Sequence, residues 1–149
     1  GAIQHSPLVP SVVPLQIVRL GQLALICCPG EFTTIAGQRV INTVKQTLAA
    51  QASIESVWLA SYCNDYMGYV TTYEEYQAQA YEGGHTLFGQ WTLAACQSKF
   101  QGLAEQLLLE KDKRHYDEMT RPPHIPVQEL AKRTNHGNLK TAVSQGEAV

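Results

Sequence analysis

The chain has 149 residues, 44% of them hydrophobic and 16% charged, with a formal net charge of -2; this is enough apolar material for one domain with a real core and excludes a chain disordered throughout. The cationic residues are scattered rather than gathered on one face, so nothing argues electrostatically for nucleic acid. No window reaches the run of roughly 18 apolar residues that a membrane-spanning helix needs.

Residues 1–14, "GAIQHSPLVPSVVP", carry neither an initiator Met nor the pattern of a secretory signal, as expected of a chain cut from a longer one or beginning after processing. Pro7, Pro10 and Pro14 make this an extended opening segment. "LQIVRLGQLALICCPGEF" then predicts two strands around a Leu20-Gly21 turn. Gln16, Val18 and Leu20 share one face of the first, with Ile17 and Arg19 on the other. Leu23 to Cys28 is nearly all apolar and reads as a central strand buried on both sides, ended by Pro29 and Gly30.

From Thr33 or Thr34 the period becomes helical, with Thr as N-cap and Ile35, Val40 or Ile41, Val44 and Leu48 facing inward. Ser53 to Tyr62 predicts another strand, its core face drawn from Ile54, Val57 or Trp58 and Leu59, and completes a β-α-β unit with parallel strands. Ligands gather at the carboxyl ends of strands in such units. Glu31 and the stretch Asn64 to Tyr69 lie at two of those ends.

"TYEE" is a capping box, Thr72 with Glu75, opening a helix to about Tyr81 that Gly83-Gly84 would end. A longer helix is expected from Gly89 or Thr92 to Lys113, with Leu93, Cys96, Phe100, Leu103 and Leu107 on one stripe. Residues 114–149 have few large apolar side chains and predict a flexible tail or linker, with a short helix at Val127 to Arg133. The fold class is therefore α/β: a fragment of a mixed sheet with a β-α-β unit and flanking helices. Cys27, Cys28, Cys63 and Cys96 have no metal-knuckle spacing and read as buried free thiols.

Glu31, between a buried strand and a helix start, suits either an anionic helix-start residue or a metal ligand or general base. Six of the seven tyrosines fall between positions 62 and 81. Tyr73 and Tyr76 flank a capped helix start and read as packing or surface residues. Tyr69 and Tyr81, after a strand end and beside Gly83-Gly84, are placed where a phenol can donate to an oxyanion or, deprotonated by a cation, bind it. His5, His115, His124 and His136 lie in termini or charged segments, His85 stands alone, and no paired-histidine zinc motif or GxSxG elbow occurs.

"QIVRLGQLALICCPGEFTTIAGQRV" and "NDYMGYVTTYEEYQAQAYEGGHTLFGQWTLAA" closely resemble the neutral ceramidase family, zinc amidases that hydrolyse the N-acyl bond of ceramide to sphingosine and a fatty acid. The resemblance runs from about Leu15 to Phe100 and implies the C-terminal portion of the family's catalytic domain, bounded here as residues 15–113. It implies that Glu31 and Tyr69 are zinc ligands and that Tyr81 hydrogen-bonds the substrate amide or the tetrahedral oxyanion. The family's two histidine ligands and its essential serine come from earlier segments absent from this sequence, so the resemblance implies an incomplete zinc site and an inactive isolated chain. It also implies ceramide at a membrane surface as partner, a secreted or surface-tethered enzyme, and the missing part of the domain as a complementing chain. Cys27-Cys28 stands where small or branched residues are expected, and the tail does not resemble the family's immunoglobulin-like domain. The alternative is a non-catalytic sphingolipid-binding or interaction module built on the same scaffold.

Overall fold

The computed structural model describes residues 9–51, 53–117, 119–122 and 127–128. The chain divides into two units, and the elements below belong to the one formed by Pro7–Pro122. Most of the helix expected at Val127 to Arg133, and nearly all of the tail beyond residue 122, lie outside the described residues, as do His5, His124 and His136.

Strand β1 (Gln16–Leu20) turns at Gly21 into β2 (Leu23–Cys27), with which it pairs antiparallel. Helix α1 (Thr34–Thr47) and a 3-10 turn at Leu48–Ala50 carry the chain back to β4 (Ser56–Ala60), which lies parallel to β2. The sheet order is β1-β2-β4, so β2 is central as its composition predicts. Between these elements, β3 (Glu31–Phe32) pairs parallel with β5 (Tyr69–Val70) as a separate small sheet. Helices α2 (Tyr73–Ala78), α3 (Tyr81–Gly84) and α4 (Thr92–Leu108), then a 3-10 turn at Lys111–Lys113, complete the order.

One face of the three-stranded sheet is covered and the other is not. Ala24, Ile26, Cys28 and Val57 point into a core completed by Ala36, Val40 and Val44 of α1 and by Leu93, Cys96, Phe100 and Ala104 of α4. On the opposite face, Val18, Leu25 and Trp58 form one cross-strand row, and Trp58 is 62% exposed. Leu23 and Leu25 are accordingly only half-buried, which corrects the expectation of a strand enclosed on both sides. Within β4 the alternation turns Val57 inward and Trp58 outward. All four cysteines are free; Cys27, Cys28 and Cys96 are buried and Cys63 half-buried.

The helix boundaries follow the sequence with three differences. Thr33 caps α1 by accepting from the Ala36 amide, but Ile35, in the first turn, is 52% exposed and lies off the buried stripe. The helix expected from Thr72 to Tyr81 is broken: Gln79 adopts a left-handed conformation (φ 50°), and α3 starts afresh. The Gly83-Gly84 pair ends the short α3 rather than one continuous helix, and Gly83 lets α3 approach α2, since a Cβ there would sit 2.9 Å from the Glu75 carbonyl oxygen. Helix α4 stops at Leu108, where Leu109 turns extended; the Arg114 guanidinium donates to the carbonyl oxygens of Leu109 (3.0 Å) and Leu107 (3.3 Å).

Phe100, 0% exposed, is among the largest fully buried side chains and sits where α4 meets the sheet and α1. Phe100→Ala is expected to cost about 3–5 kcal/mol in chemical denaturation, the range for an aromatic deletion that the core cannot close over. A second expectation concerns acid. The Arg39 guanidinium on α1 bonds Glu74 on α2 at 2.9 Å and holds that carboxyl down at about 2 from an ordinary 4.5. A depressed folded pKa stabilises above the unfolded value and loses that contribution as pH falls through the folded one. The stability difference between wild type and Arg39→Ala, small for so exposed a pair, should therefore shrink as pH falls from about 4.5 toward about 2.

Candidate functional site

The site forms where the chain leaves the carboxyl ends of β2 and β4. Pro29 interrupts the ladder, and the next residues pair with a different segment: the Glu31 amide donates to Gly68 O (3.0 Å) and the Thr33 amide to Val70 O (3.1 Å). Glu31 and Tyr69 become direct neighbours in a parallel register. The Tyr69 amide in turn donates to His85 O (3.2 Å), which attaches the α3 end to the same small sheet. Gly68 makes this approach possible, with φ +93° and a position where a Cβ would lie 3.0 Å from His85 O.

The Glu75 carboxylate joins the two helix starts that follow these strands. Its Oε2 accepts from the Thr72 amide (2.8 Å), closing the capping box of α2, and from Thr33 Oγ1 (2.6 Å), the N-cap of α1. One side chain thus fixes Thr33, two residues past Glu31, against Thr72, three residues past Tyr69. The capping box was readable from "TYEE", but the bridge to Thr33 joins residues 42 apart and has no local signature.

A cleft of about 520 Å³ opens here, lined by Glu31, Thr33, Tyr62, Tyr69, Glu75 and Glu82 among others. Tyr66 Oη donates to Glu31 Oε2 at 3.0 Å, and Tyr62 and Tyr69 line the cleft beside the same residue. These phenols, Tyr62 foremost and then Tyr69, hold the Glu31 carboxyl below its ordinary range. The reciprocal effect, with Glu31 as the main cause, pushes Tyr62 up to about 12 and raises Tyr69 further. Tyr66 is raised too, first by burial and then by its bond to Glu31.

Tyr81 stands edge-on to Tyr69, with ring centroids 5.7 Å apart and planes at 84°. His85, which stands alone in the sequence, completes an aromatic trio: its ring lies 4.4 Å from that of Tyr81 and its Nδ1 2.8 Å from Tyr81 O. Tyr73 leans instead on Trp91 at 5.4 Å. The structure thus brings Glu31, Tyr69 and Tyr81 together and sets Tyr73 apart. It adds Tyr62, Tyr66, Glu75 and His85, which sequence reasoning left out of the site.

The donor chemistry suits part of a zinc site. A carboxylate and a phenol oxygen on adjacent parallel strands supply two oxygen donors of kinds that zinc accepts once the phenol has lost its proton. Among the described residues no group of three or more His, Cys, Asp or Glu converges to complete a metal shell. The residues therefore fit half of a tetrahedral site.

A mixed α/β scaffold with a polar cleft at its strand ends belongs to a broad class that handles small ligands there. Comparison with known proteins is more specific. The family model described as neutral/alkaline non-lysosomal ceramidase, N-terminal, matches residues 1–98. Neutral ceramidase A of Dictyostelium discoideum is 44% identical over 108 residues, covering 72% of this chain and 15% of that protein. The neutral ceramidase of Pseudomonas aeruginosa is 48% identical over 101 residues, 68% of this chain and 15% of that protein. The crystal structure of neutral ceramidase from Pseudomonas aeruginosa superposes with a TM-score of 0.75 at 41% identity, covering 83% of this chain and 19% of that one. A ceramidase structure described as complexed with C2 gives 0.74 at the same identity and coverage. The chain belongs to the neutral/alkaline non-lysosomal ceramidase family. It spans about 15% of the length of the curated relatives it matches, and the matching model is the family's N-terminal one rather than a C-terminal region of the protein.

Three substitutions test the frame of the site. Glu75→Ala should destabilise the chain by about 1–3 kcal/mol, because it leaves a buried amide and a hydroxyl without their acceptor, and by more than Thr72→Ala, at about 1 kcal/mol for a lost cap; urea titration of both orders them. Gly68→Ala should cost about 1 kcal/mol or more and shift the Tyr69 and His85 ring resonances in NMR spectra, since the added methyl meets His85 O.

Proposed function

We propose that this chain is a portion of a zinc-dependent amide hydrolase that cleaves the N-acyl bond of ceramide to give sphingosine and a fatty acid. The observation that carries the reading is the register of Glu31 against Tyr69, both lining a polar cleft, with Tyr81 edge-on to Tyr69. In this reading Glu31 and Tyr69 hold zinc together with groups from elsewhere in the parent protein, and the metal, when bound, supplies Lewis acidity and water activation. Tyr69 gives up its hydroxyl proton on binding the cation and turns from hydrogen-bond donor to oxygen ligand. Tyr81 donates its hydroxyl to the amide carbonyl oxygen, where negative charge grows as water adds to the carbon. Collapse then breaks the C–N bond, with a proton reaching the leaving amine.

Residues 15–113 are proposed as the closing part of the catalytic domain, with the rest of that domain as a complementing chain or parent sequence. Ceramide resides in membranes, so the enzyme would act at a membrane surface, secreted or tethered outside the cell. No helix among the described residues is long and apolar enough to cross a membrane. The half-complete donor set favours a second reading, a non-catalytic sphingolipid-binding or interaction module. Sphingolipid binding without turnover, insensitive to a chelator, would support the module.

The test is ceramide hydrolysis by the chain completed with the remaining catalytic segments of a family member, in the presence of zinc. Tyr69→Ala and Glu31→Gln are expected to lower turnover at least 100-fold, an oxygen ligand's share of a metal site being of that order, while Tyr73→Ala leaves it nearly unchanged. Equal tolerance of Tyr69→Ala and Tyr73→Ala would overturn the assignment.

A further inference from the structure

The geometry around Glu31 leaves two tyrosines without a role in the core. Tyr62 is 59% exposed and Tyr66 43% exposed, so neither supplies much packing. Their rings nevertheless stack almost parallel, 3° apart with centroids at 6.1 Å, and Tyr62 lines the cleft. Tyr66 Oη donates to Glu31 Oε2 at 3.0 Å, and Tyr62, stacked on Tyr66, lies near enough to the same carboxylate to lower its pKa.

The loop that carries them is built into the same backbone as the carboxylate. The Tyr62 amide donates to Gly30 O (3.2 Å), the Cys63 amide to Cys28 O (3.1 Å) and the Met67 amide to Pro29 O (2.7 Å). All three acceptors lie in the three residues before Glu31. Tyr62 (φ 60°) and Asn64 (φ 67°) adopt left-handed backbone, which non-glycine residues seldom do, and Asn64 Nδ2 donates to Gln16 Oε1 at 2.9 Å. A tight, backbone-stitched turn with two disfavoured residues is an expensive way to expose two aromatic rings. It is a direct way to fix two phenols relative to Glu31.

We infer that Tyr62 and Tyr66 are positioning residues that hold the Glu31 carboxylate by their hydroxyls in the orientation it presents to a cation shared with Tyr69. The inference rests on the zinc reading above for its purpose, and for the clamp on the Tyr66–Glu31 hydrogen bond, the Tyr62–Tyr66 stack and the anchored turn that carries both. A carboxylate has about four lone-pair sites, enough for two phenol donors and a cation at once. Tyr69 cannot serve as a lasting anchor, because as a ligand it has no proton left to donate. The Tyr62 and Tyr66 hydroxyls keep theirs. Oriented donors behind a ligating carboxylate typically govern metal affinity by 10- to 100-fold.

The experiment has two readouts, the first on the full 149-residue chain. In the first, the side-chain carboxyl carbon of Glu31 is followed by NMR at neutral pH without metal, in wild type and in Tyr62→Phe, Tyr66→Phe and Tyr73→Phe. Phenylalanine keeps the stacked ring and removes only the hydroxyl. The clamp predicts a changed Glu31 carboxyl resonance in the first two variants and none in the third, with the fold unchanged by circular dichroism. In the second, zinc binding is titrated calorimetrically to the chain completed with the remaining catalytic segments of a family member, and Tyr66→Phe is expected to weaken it about 10-fold. An unmoved Glu31 resonance in both Tyr62→Phe and Tyr66→Phe overturns the clamp. A moved resonance with unaltered zinc affinity, while Glu31→Gln abolishes binding, overturns its role toward the cation and leaves the zinc reading standing. Zinc binding indifferent to both Glu31→Gln and Tyr69→Phe overturns the zinc reading itself, and with it the purpose of the clamp.

Discussion

Everything in the candidate site depends on two residues of β3 lying parallel to two residues of β5. A two-residue parallel pair has almost no stability of its own, because parallel pairing gains little per residue and brings together segments far apart in sequence. Three neighbours hold it in place. The α/β core delivers both segments from the ends of parallel strands, Gly68 lets the Tyr69 strand come within hydrogen-bonding distance of Glu31 and His85, and Glu75 ties the two helix caps that follow. Remove the pairing and a carboxylate and a phenol remain on separate loops.

The parts of this arrangement that were legible in the sequence are the local ones. The alternation of β1, the apolar run of β2, the Thr33 cap and the Thr72–Glu75 box each follow from a few adjacent residues, and each is present. The β-α-β unit was also legible, since strand, helix and strand in that order leave little choice of connection. What escaped was long-range. Ile35 fits a helical stripe by spacing, yet it sits in the first turn beyond the reach of the sheet, and only the packing of α1 reveals that. The Gly83-Gly84 pair reads as a helix stop and does end α3, but the expected single helix has already broken at Gln79, and Gly83 also serves contact between the two helices.

The same distinction applies to the chemistry. Glu31, Tyr69 and Tyr81 were singled out first by their places at strand and helix ends and then by family resemblance, and the fold brings all three together. Tyr62, Tyr66 and His85 carried no such signal. Tyrosine is common in packing, and nothing in "SYCNDY" tells that the chain turns left-handed twice and hangs from the backbone of Cys28, Pro29 and Gly30. His85 was discounted because it has no histidine partner within the chain, yet its ring finds Tyr81 four positions away through one turn of helix.

The crowding of tyrosines around a single glutamate is best understood as a division between protons that stay and a proton that leaves. With no cation present, three phenols compete to donate to Glu31, and the carboxylate and phenol shifts run in opposite directions as mutual hydrogen bonding requires. On the proposed zinc reading, a divalent cation would reverse that preference for one phenol only, the one whose oxygen it reaches, because its charge would offset the cost of placing a phenolate beside a carboxylate. In the proposed zinc reading Tyr69 serves that role from a strand paired opposite Glu31, whereas Tyr62 and Tyr66 belong to a turn anchored to the backbone before the carboxylate. Their different anchorage, rather than any difference in intrinsic acidity, separates the ligand from the clamp.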